Sequence, residues 1–273
     1  MILAIDVGNT HIVLGCIEDG AILNIVRIRT DPHETTTEYA IKLKDILELN
    51  SIDPKAFDGA IISSVVPPVT QVMTEAVKML TGRDCMVVGP GMKTGLNIRI
   101  DDPGTLAPDI LVGSVAAMEY YGVPSIIMDL GTATTIVAVD EKRCYRGGAI
   151  LPGVKLSYEA LAAGTSLLPD IYIVPPEKAS ATNTVDAMRS GAVFSTAGAL
   201  DGMIDRMEAE LGLSCALVAT GGLAASITPY CRHKIICDDD LLLKGLWILF
   251  NKNIKDDDLH LKGLRILFNK NRK

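Results

Sequence analysis

The sequence predicts an α/β fold, because short apolar segments alternate with longer segments of helical periodicity along most of the chain. A second observation indicates an internal duplication. Residues 2–13 and 126–137 share one pattern: an apolar strand, Asp-x-Gly, a small polar cluster and a second apolar strand. Since the two copies are separated by nearly half the chain, we predict two similar halves that face each other across a cleft.

The individual elements follow from local pattern. β-Strands are predicted where short runs rich in branched apolar residues are bounded by turn residues, at 2–6, 11–17, 22–29, 59–63, 84–88, 125–129, 133–139, 145–150, 215–219 and 234–237. Helices are predicted where apolar residues recur every three or four positions, at 37–49, 68–81, 106–120, 154–163 and 184–211. Pro67 and Pro68 fall where the second helix begins, and proline is well tolerated in a first helical turn.

Composition and charge are those of an ordinary globular protein. Of the 273 residues, 48% are apolar and 22% are charged, and the formal net charge is −7. This composition excludes a disordered or collagen-like chain, and net acidity argues against binding to nucleic acids or anionic membranes. No apolar run approaches the roughly 18 to 20 residues of a membrane span, and Asp6 interrupts the first run too early for a signal peptide. We therefore expect a cytoplasmic protein.

The six cysteines are scattered along the chain and form no Cys-x-x-Cys pair. Cys231, His233 and Cys237 lie close together in sequence, but a second pair of zinc ligands is missing from the pattern. We therefore expect ordinary thiols and no zinc site.

The two copies of the strand–turn–strand pattern carry groups suited to phosphate. Gly8 permits a tight turn and close approach of a ligand, and Asn9, Thr10 and the local backbone N–H groups can donate hydrogen bonds to phosphate oxygens. An aspartate at the end of each first strand can hold Mg²⁺. Because the segment from Asp129 offers the same groups with more hydroxyls, we predict that both turns bind phosphate.

Three further positions remain open from the residues alone. Gly221 and Gly222 form either a tight turn or a surface against which a nucleotide base or ribose lies, beside a helix N-terminus that favours negative charge. Asp109 stands at the start of a helix, where its simplest role is to complement the helix dipole. Asn183 is predicted to cap the helix that follows it.

A second repeat lies at the end of the chain, where residues 236–253 recur at 254–271 with few changes. Two copies are too few for a solenoid, so the first copy is predicted as the last helix of an α/β unit. The second is predicted as an appended amphipathic helix without a catalytic role. The predicted organisation is a first half at 1–120, a second half at 121–253 and a duplicated tail helix at 254–273.

Several of these segments together resemble the type III pantothenate kinases. The match is collinear, extends over about residues 1–253 and is specific as a combination, although each piece is weak alone. It is carried by residues 6–10, 63–68, 89–95, 129–135, 147–153, 183–184 and 220–222.

The resemblance implies a duplicated actin-like (ribonuclease H-like) fold of the acetate and sugar kinase superfamily, usually as a homodimer. It also implies ATP-dependent phosphorylation of pantothenate, the first step of coenzyme A biosynthesis. The cofactors it implies are ATP, Mg²⁺ and a monovalent cation, K⁺ or NH4⁺.

Site residues can be carried over by position from this resemblance. Asp109 matches the general base, Asp6 lies near the metal, and Asp129 matches the ligand of the monovalent cation. The positions expected to contact ATP are Asp6, Val7, Gly8, Asn9, Thr10, His11, Ile12, Val13 and Thr132. The positions expected to contact pantothenate are Ile100, Ala107, Pro108, Asp109, Ile110 and Thr184.

The sequence departs from the family at several of these places. Ile110 stands where the family usually has Arg, Gly113 where it has Asn, Ile100 where it often has an aromatic residue, and His11 where it more often has Asn. The missing Arg removes a fixed cation and its donors, for which we expect a loss of roughly a hundredfold in affinity or rate. Two alternatives therefore stay open: a nucleotide-binding homologue without catalytic activity, and a kinase of another small alcohol.

Overall fold

The computed structural model describes residues 1–254, which form two compact units. The first unit comprises Met1–Val7, Ile12–Thr94 and, among the described residues, 246–254. The second comprises Gly8–His11 and Gly95–Gly245. The predicted tail helix lies outside the described residues from position 255 onward. The predicted halves 1–120 and 121–253 divide the duplicated sequence, and that division stays a prediction.

The first unit is built on a five-stranded sheet of order β3-β2-β1-β4-β5. Its strands are β1 (Ile2–Val7), β2 (His11–Glu18), β3 (Ala21–Arg29), β4 (Gly59–Ser64) and β5 (Cys85–Val87). Two helices, α1 (Thr36–Leu49) and α2 (Pro67–Thr81), pack their apolar side chains with those of β1, β2 and β4 into one core. Thr35 caps α1 in a reciprocal capping box with Glu38, and Pro67 begins α2 as predicted.

The second unit is built on a six-stranded sheet of order β11-β10-β7-β8-β9-β6. Its strands are β6 (Asn97–Ile98), β7 (Ser125–Leu130), β8 (Ala133–Val139), β9 (Cys144–Pro152), β10 (Ala216–Thr220) and β11 (Ile236–Cys237). Successive residues of β7 point to opposite faces. Ile127 therefore joins one apolar cluster, while Ile126 and Met128 join another.

Helices cover both faces of this second sheet. One face holds α3 (Pro108–Tyr121), and the other holds α4 (Val154–Ala163), α6 (Thr196–Leu211) and α7 (Ala224–Ile227). Helix α5 (Thr184–Ser190) leads into the π-helical turn that precedes α6. The last helix, α8 (Leu241–Asn253), belongs to the second unit up to Gly245 and to the first unit from Leu246. Within residues 1–254, no helix is long and apolar enough to cross a bilayer.

The two sheets repeat the same local arrangement around their first strands. β1 pairs with β2 antiparallel and with β4 parallel, which places Asp6 opposite Val13 and Ser63. β7 pairs with β8 antiparallel and with β10 parallel, which places Asp129 opposite Thr135 and Thr220. The predicted duplication of an α/β unit is therefore confirmed at the level of strand order and register.

Each predicted strand is present, with ends that differ by at most two residues, but the structure corrects two other expectations. The two-residue strand β6 was not predicted. The helix predicted over 184–211 is interrupted by a π-helical turn at Gly191–Ser195, where a Cβ on Gly191 would lie 2.5 Å from the Tyr158 hydroxyl. Ser195 and Thr196 there donate their hydroxyls to backbone carbonyls four residues earlier, which competes with the regular helical pattern.

Candidate active site

The turn between β7 and β8 carries the polar groups that the sequence singled out in the second unit. Asp129 is the penultimate residue of β7, and Thr132 lies in the turn with its side chain exposed to solvent. The turn is closed by a hydrogen bond of 3.1 Å from the Gly131 N–H to the Ala133 carbonyl. Backbone N–H groups and a hydroxyl at such a turn are suitable donors to an anion.

Two glycines from distant parts of the chain hold this turn in place. The Gly153 N–H donates to the Thr132 carbonyl at 3.1 Å, and a Cβ on Gly153 would lie 2.5 Å from the Gly131 carbonyl oxygen. Gly221 has a φ of +94°, and a Cβ there would lie 2.5 Å from Asp129 Oδ1. Both positions therefore require glycine, because any side chain would displace the turn.

Gly222 differs from its neighbour. A Cβ at Gly222 would meet no atom within 4 Å. The sequence left two roles open for this Gly-Gly pair, and the structure separates them. Gly221 is needed for packing against Asp129, whereas the space beside Gly222 is open to a ligand.

Asp109 lies in the first turn of α3, directly after Pro108, which occupies the first helical position. Its carboxylate Oδ1 accepts the Ile110 N–H at 2.8 Å, so the side chain turns back over the helix N-terminus. Asp109 is half-buried, and burial raises the pKa of its carboxyl group above the ordinary value of 3.8. A carboxylate with a raised pKa is a better proton acceptor than an exposed aspartate.

Asp109 acts electrostatically on two neighbours. Burial, followed by the charge of Asp109, raises the pKa of Asp129 to about 6. The same two causes, in the same order, raise the pKa of Tyr145 to about 12. Tyr145 is 4% exposed and belongs to the apolar cluster on the α3 face of the sheet. The structure therefore brings two acids and one phenol into a single electrostatic environment.

Three of the positions predicted to contact pantothenate lie within two residues of Asp109 in sequence, and a fourth, Ile100, packs against the same apolar cluster as Ile110. Ala107 is the residue before α3, and Pro108 and Ile110 flank Asp109 within it. Ile100 and Ile110 both pack against the cluster that contains Tyr145. These four positions, Ile100, Ala107, Pro108 and Ile110, all carry apolar side chains, and all four are half-buried.

Thr184 is the first residue of α5 and is exposed. Asn183 caps this helix as predicted, since its side chain accepts the Asp186 N–H at 2.9 Å. Among the described residues, no hydrogen bond joins Thr184 to the Asp109 region. Its predicted contact with pantothenate stays a prediction.

The turn between β1 and β2, Gly8–His11, belongs to the second unit. The Gly8 N–H donates to the His11 carbonyl at 2.9 Å and closes the turn. Asn9, Thr10 and His11 are exposed, and the Thr10 hydroxyl lies 3.0 Å from the Thr132 hydroxyl. The structure therefore brings the two predicted phosphate turns into hydrogen-bond contact at these threonines.

The remaining predicted ATP positions lie in the strands on either side of that turn. Asp6 and Val7 end β1, and Ile12 and Val13 belong to β2. Val7 and Ile12 are buried in the core of the first unit. Asp6 is 9% exposed.

The donor set around Asp129 suits a hard cation. Carboxylate and hydroxyl oxygens are the ligands that Mg²⁺ and similar cations prefer, and a bound cation would offset the unfavourable charge that burial imposes on Asp129. No group of three or more His, Cys, Asp or Glu side chains within residues 1–254 could hold a metal ion. A cation here would therefore complete its shell with backbone, water or phosphate oxygens.

Sequence reasoning missed the roles of Tyr145 and Gly153. Tyr145 lies in a predicted strand and gave no signal of its own. Gly153 follows Pro152 in a Pro-Gly pair that marks a turn, but only the structure shows that the turn packs against Thr132. Both residues reach the site through contacts between segments far apart in the chain.

The chain is similar to known proteins over most of its length. Residues 2–206 match the model of the type III pantothenate kinase family. The chain is 40% identical over 254 residues to the type III pantothenate kinase of Halalkalibacterium halodurans, covering 93% of this chain and all of that protein. It is 41% identical over 253 residues to the corresponding enzyme of Moorella thermoacetica, with 93% and 100% covered.

Among solved structures, component A of (R)-2-hydroxyglutaryl-CoA dehydratase from Acidaminococcus fermentans is similar with a TM-score of 0.53. The two are 13% identical, and the match covers 91% of this chain and 95% of the other. At this identity the likeness concerns the fold alone, which is the duplicated actin-like α/β fold. By the family match and its two curated relatives, the chain belongs to the type III pantothenate kinases.

Proposed function

We propose that this protein transfers the γ-phosphoryl group of ATP to the hydroxyl of pantothenate. The product is 4′-phosphopantothenate, and the reaction is the first step of coenzyme A biosynthesis. The observation that carries the assignment of roles is the half-buried Asp109, whose raised pKa suits a base, in one compact unit with the turn at Asp129 and Thr132.

In the proposed reaction, Asp109 accepts the proton of the pantothenate hydroxyl as its oxygen attacks the γ-phosphorus. The bond from that phosphorus to the β–γ bridging oxygen breaks, and ADP leaves. Phosphoryl transfer depends mainly on positioning and on neutralising charge. One carboxylate of correct pKa and a set of phosphate donors are therefore a sufficient protein contribution.

The proposed ATP site consists of residues 6–13 and Thr132. The contact between the Thr10 and Thr132 hydroxyls supports a shared phosphate, because a ligand oxygen could accept from both. The open space beside Gly222 supports a nucleoside position at that turn.

We further propose that Asp6 holds Mg²⁺ and that Asp129 binds the monovalent cation, K⁺ or NH4⁺. Mg²⁺ would neutralise phosphate charge during transfer. Asp129 supports a cation site because its burial disfavours an ionised carboxylate without one.

The proposed pantothenate contacts are Ile100, Ala107, Pro108, Asp109, Ile110 and Thr184. A second candidate, a kinase of another small alcohol, is favoured by one observation: the side chains at Ile100, Ala107, Pro108 and Ile110 are all apolar. Pantothenate analogues without the carboxylate test this candidate. If none is phosphorylated more efficiently than pantothenate, the second candidate fails.

The assembly and location are also proposals. A homodimer is supported by large apolar side chains exposed along β9 and α4, namely Ile150, Leu156 and Leu161. A cytoplasmic location is supported by the six cysteines, which are all free thiols, as expected of a reducing compartment. Light scattering of the purified protein would test the dimer directly.

The proposed function is tested by ADP release with Mg²⁺-ATP and pantothenate, with and without K⁺. For Asp109→Asn we expect kcat to fall by about 10² to 10⁴, since general-base catalysis contributes that much. The matched control is Asp101→Asn, which removes an exposed carboxylate nearby in sequence and should leave kcat within about twofold.

Equal losses in both variants would contradict the role of Asp109. Pantothenate-independent ATP hydrolysis, or ATP binding without any turnover, would instead support the homologue without kinase activity. Calorimetric titration with ATP distinguishes these cases, because the Asp109 variant should bind ATP as the unmodified protein does.

A further inference from the structure

Tyr145 lies deep inside the second unit, and its position is fixed by a neighbouring strand. In β9 it pairs with Ile98 of β6, and its carbonyl accepts the Arg99 N–H at 3.0 Å. The side chain is 4% exposed and belongs to the apolar cluster on the α3 face, against which Ile110 packs. Because the ring is held in this way, its hydroxyl has little freedom left to lose when it binds a ligand.

The hydroxyl of Tyr145 has no hydrogen-bond partner in the part of the chain that the structure describes. A buried phenol usually has one. Tyr39, the other tyrosine that is buried within residues 1–254, donates its hydroxyl to the Asp31 carbonyl at 2.8 Å. Since a buried donor without a partner costs stability, the Tyr145 hydroxyl is a candidate to bind a ligand.

This hydroxyl is also within reach of a ligand. Five side chains in the described residues have an unpaired polar atom that solvent cannot reach, namely Glu34, Ser63, Ser114, Ser125 and Thr134. The Tyr145 hydroxyl is unpaired but is not one of these enclosed atoms. The ring is therefore buried while its hydroxyl oxygen stays in contact with solvent.

Asp109 is the charged group that acts on this hydroxyl, and both residues belong to the second unit. Burial first, and then the charge of Asp109, raise the pKa of Tyr145 to about 12, so the phenol keeps its proton at neutral pH. Ile110, the neighbour of Asp109 in α3, packs against the same cluster as Tyr145. The site therefore combines a carboxylate that accepts hydrogen bonds with a phenol that donates them.

The proposed substrate has two hydroxyls that suit this pair of groups. In pantothenate, the primary hydroxyl that is phosphorylated and a secondary hydroxyl are borne by carbons on either side of one carbon with two methyl groups. Asp109 is proposed to accept the proton of the primary hydroxyl. The secondary hydroxyl then needs a partner nearby, and the apolar side chains of Ile100 and Ile110 suit the methyl groups.

We propose that Tyr145 determines substrate specificity by donating a hydrogen bond to the secondary hydroxyl of the substrate, while Asp109 binds the primary one. The substrate class of this site is then a 1,3-diol with a branched apolar carbon between its hydroxyls. A site built to bond a substrate hydroxyl rejects an analogue that lacks it, because its own polar group loses a partner. This inference rests on the proposed function.

The test compares Tyr145→Phe, which keeps the ring, with the unmodified protein. Dissociation constants are measured by calorimetric titration with Mg²⁺-ADP present, for pantothenate and for its analogue with CH2 in place of the secondary CHOH. The matched control is Tyr158→Phe, which removes the hydroxyl of a half-buried tyrosine on the opposite face of the same sheet.

For Tyr145→Phe we expect the Kd of pantothenate to rise about five- to tenfold, as for the loss of one hydrogen bond. The Kd of the analogue should change by less than about twofold, and Tyr158→Phe should change neither value by more than that. An unchanged Kd for pantothenate in Tyr145→Phe would overturn the proposal. Equal losses for pantothenate and the analogue would also overturn it, since a change in packing affects both ligands.

Thermal unfolding supplies a second readout. Because the Tyr145 hydroxyl has no partner among residues 1–254, its removal should not lower the Tm. A clearly lower Tm for Tyr145→Phe would show that the hydroxyl bonds to the protein itself, which contradicts the proposal.

Turnover is measured separately by ADP release, so that failure of the kinase and failure of the Tyr145 role can be distinguished. If the unmodified protein binds pantothenate but does not phosphorylate it, the proposed function is wrong, and the same Kd values still decide the role of Tyr145. If it phosphorylates pantothenate and Tyr145→Phe binds pantothenate equally well, the kinase stands and the role of Tyr145 is wrong. If it does not bind pantothenate, both proposals are wrong.

Discussion

The β1–β2 hairpin of the first unit and the β7–β8 hairpin of the second have the same strand register. They differ in the turn that follows the parallel neighbour of each first strand, β4 in the first unit and β10 in the second. Asp6 lies opposite Ser63, and Asp129 lies opposite Thr220. In the first unit the next residue along β4 is Ser64, whose hydroxyl oxygen accepts the Val66 N–H at 3.1 Å and the Thr70 hydroxyl at 2.7 Å. The second unit has Gly221 at that place.

The difference shows that one duplicated strand register can be followed by two differently built turns. Hydrogen bonds of Ser64 close the turn after β4 within its own segment. Gly221, lacking a side chain, lets the turn after β10 pack directly against Asp129. Burial raises the pKa of Asp129 to about 6.

Among the variants that test this comparison, Asp129→Asn is expected to have the largest effect, on activation by K⁺. Loss of a charged ligand costs about 2–3 kcal/mol, so we expect K⁺ to activate roughly a hundredfold less well. The midpoint of K⁺ activation is measured by following turnover as K⁺ is titrated. The matched variant Asp6→Asn should alter the Mg²⁺ requirement and leave the K⁺ midpoint unchanged; an equal K⁺ shift in both variants would contradict the separation of roles.

The pKa of Asp129 also predicts the direction in which activation by K⁺ changes with pH. A cation binds the ionised carboxylate, and this group becomes protonated as pH falls through about 6, where an ordinary aspartate with a pKa near 3.8 would stay charged. Activation by K⁺ should therefore weaken between pH 7 and pH 5. A K⁺ midpoint that is constant over this range would show that Asp129 does not bind the cation.

Gly221→Ala should have the next largest effect, on stability. Positive φ and the clash with Asp129 together should cost about 2–3 kcal/mol. The control Gly222→Ala meets open space and should stay within about 0.5 kcal/mol. Urea denaturation measures both, and equal destabilisation of the two variants would rule out packing against Asp129 as the reason for glycine.

The smallest effect is expected where the two turns meet. Thr132→Val and Thr10→Val each remove one neutral hydroxyl, so each should weaken ATP binding by about two- to tenfold. If the hydroxyls share a phosphate, the double variant should lose less than the product of the single losses. Calorimetric titration with ATP measures this coupling. If the losses in affinity multiply strictly, the two hydroxyls do not share a phosphate.

The strands and the polar turns could be predicted from sequence because their signals are local. Apolar runs bounded by turn residues gave every strand except β6, which consists of two residues and exists only through pairing with Cys144 and Tyr145. The capping role of Asn183 likewise depends on its next three residues alone. The interrupted helix was not predicted, and the packing of Gly191 against Tyr158 of another helix is a contact that no local pattern shows.

The residues of the candidate site also divide into those that the sequence predicted and those that only the structure placed there. Asp6, Asp129 and Thr132 stand out in sequence because the motif around them occurs twice, whereas the residues alone predicted for Asp109 only that it complements the helix dipole. The base role of Asp109 came from the family resemblance, and the structure adds a raised pKa that supports it. Tyr145 had no local signal that marked it as part of the site, and Gly153 stood in the family-like segment 147–153 without a predicted role of its own.

The sequence by itself determined the duplicated strand–turn–strand pattern, the family and the places where polar groups meet turns, since each depends on residues adjacent in the chain. Only the tertiary structure decided that Gly221 and Gly153 hold the Asp129 turn, that Asp109 and Asp129 share one electrostatic environment, and that Gly245 fits against Val112. The physical reason is that burial, and with it the pKa of an acid and the space left for a side chain, is set by segments that folding brings together from distant parts of the chain.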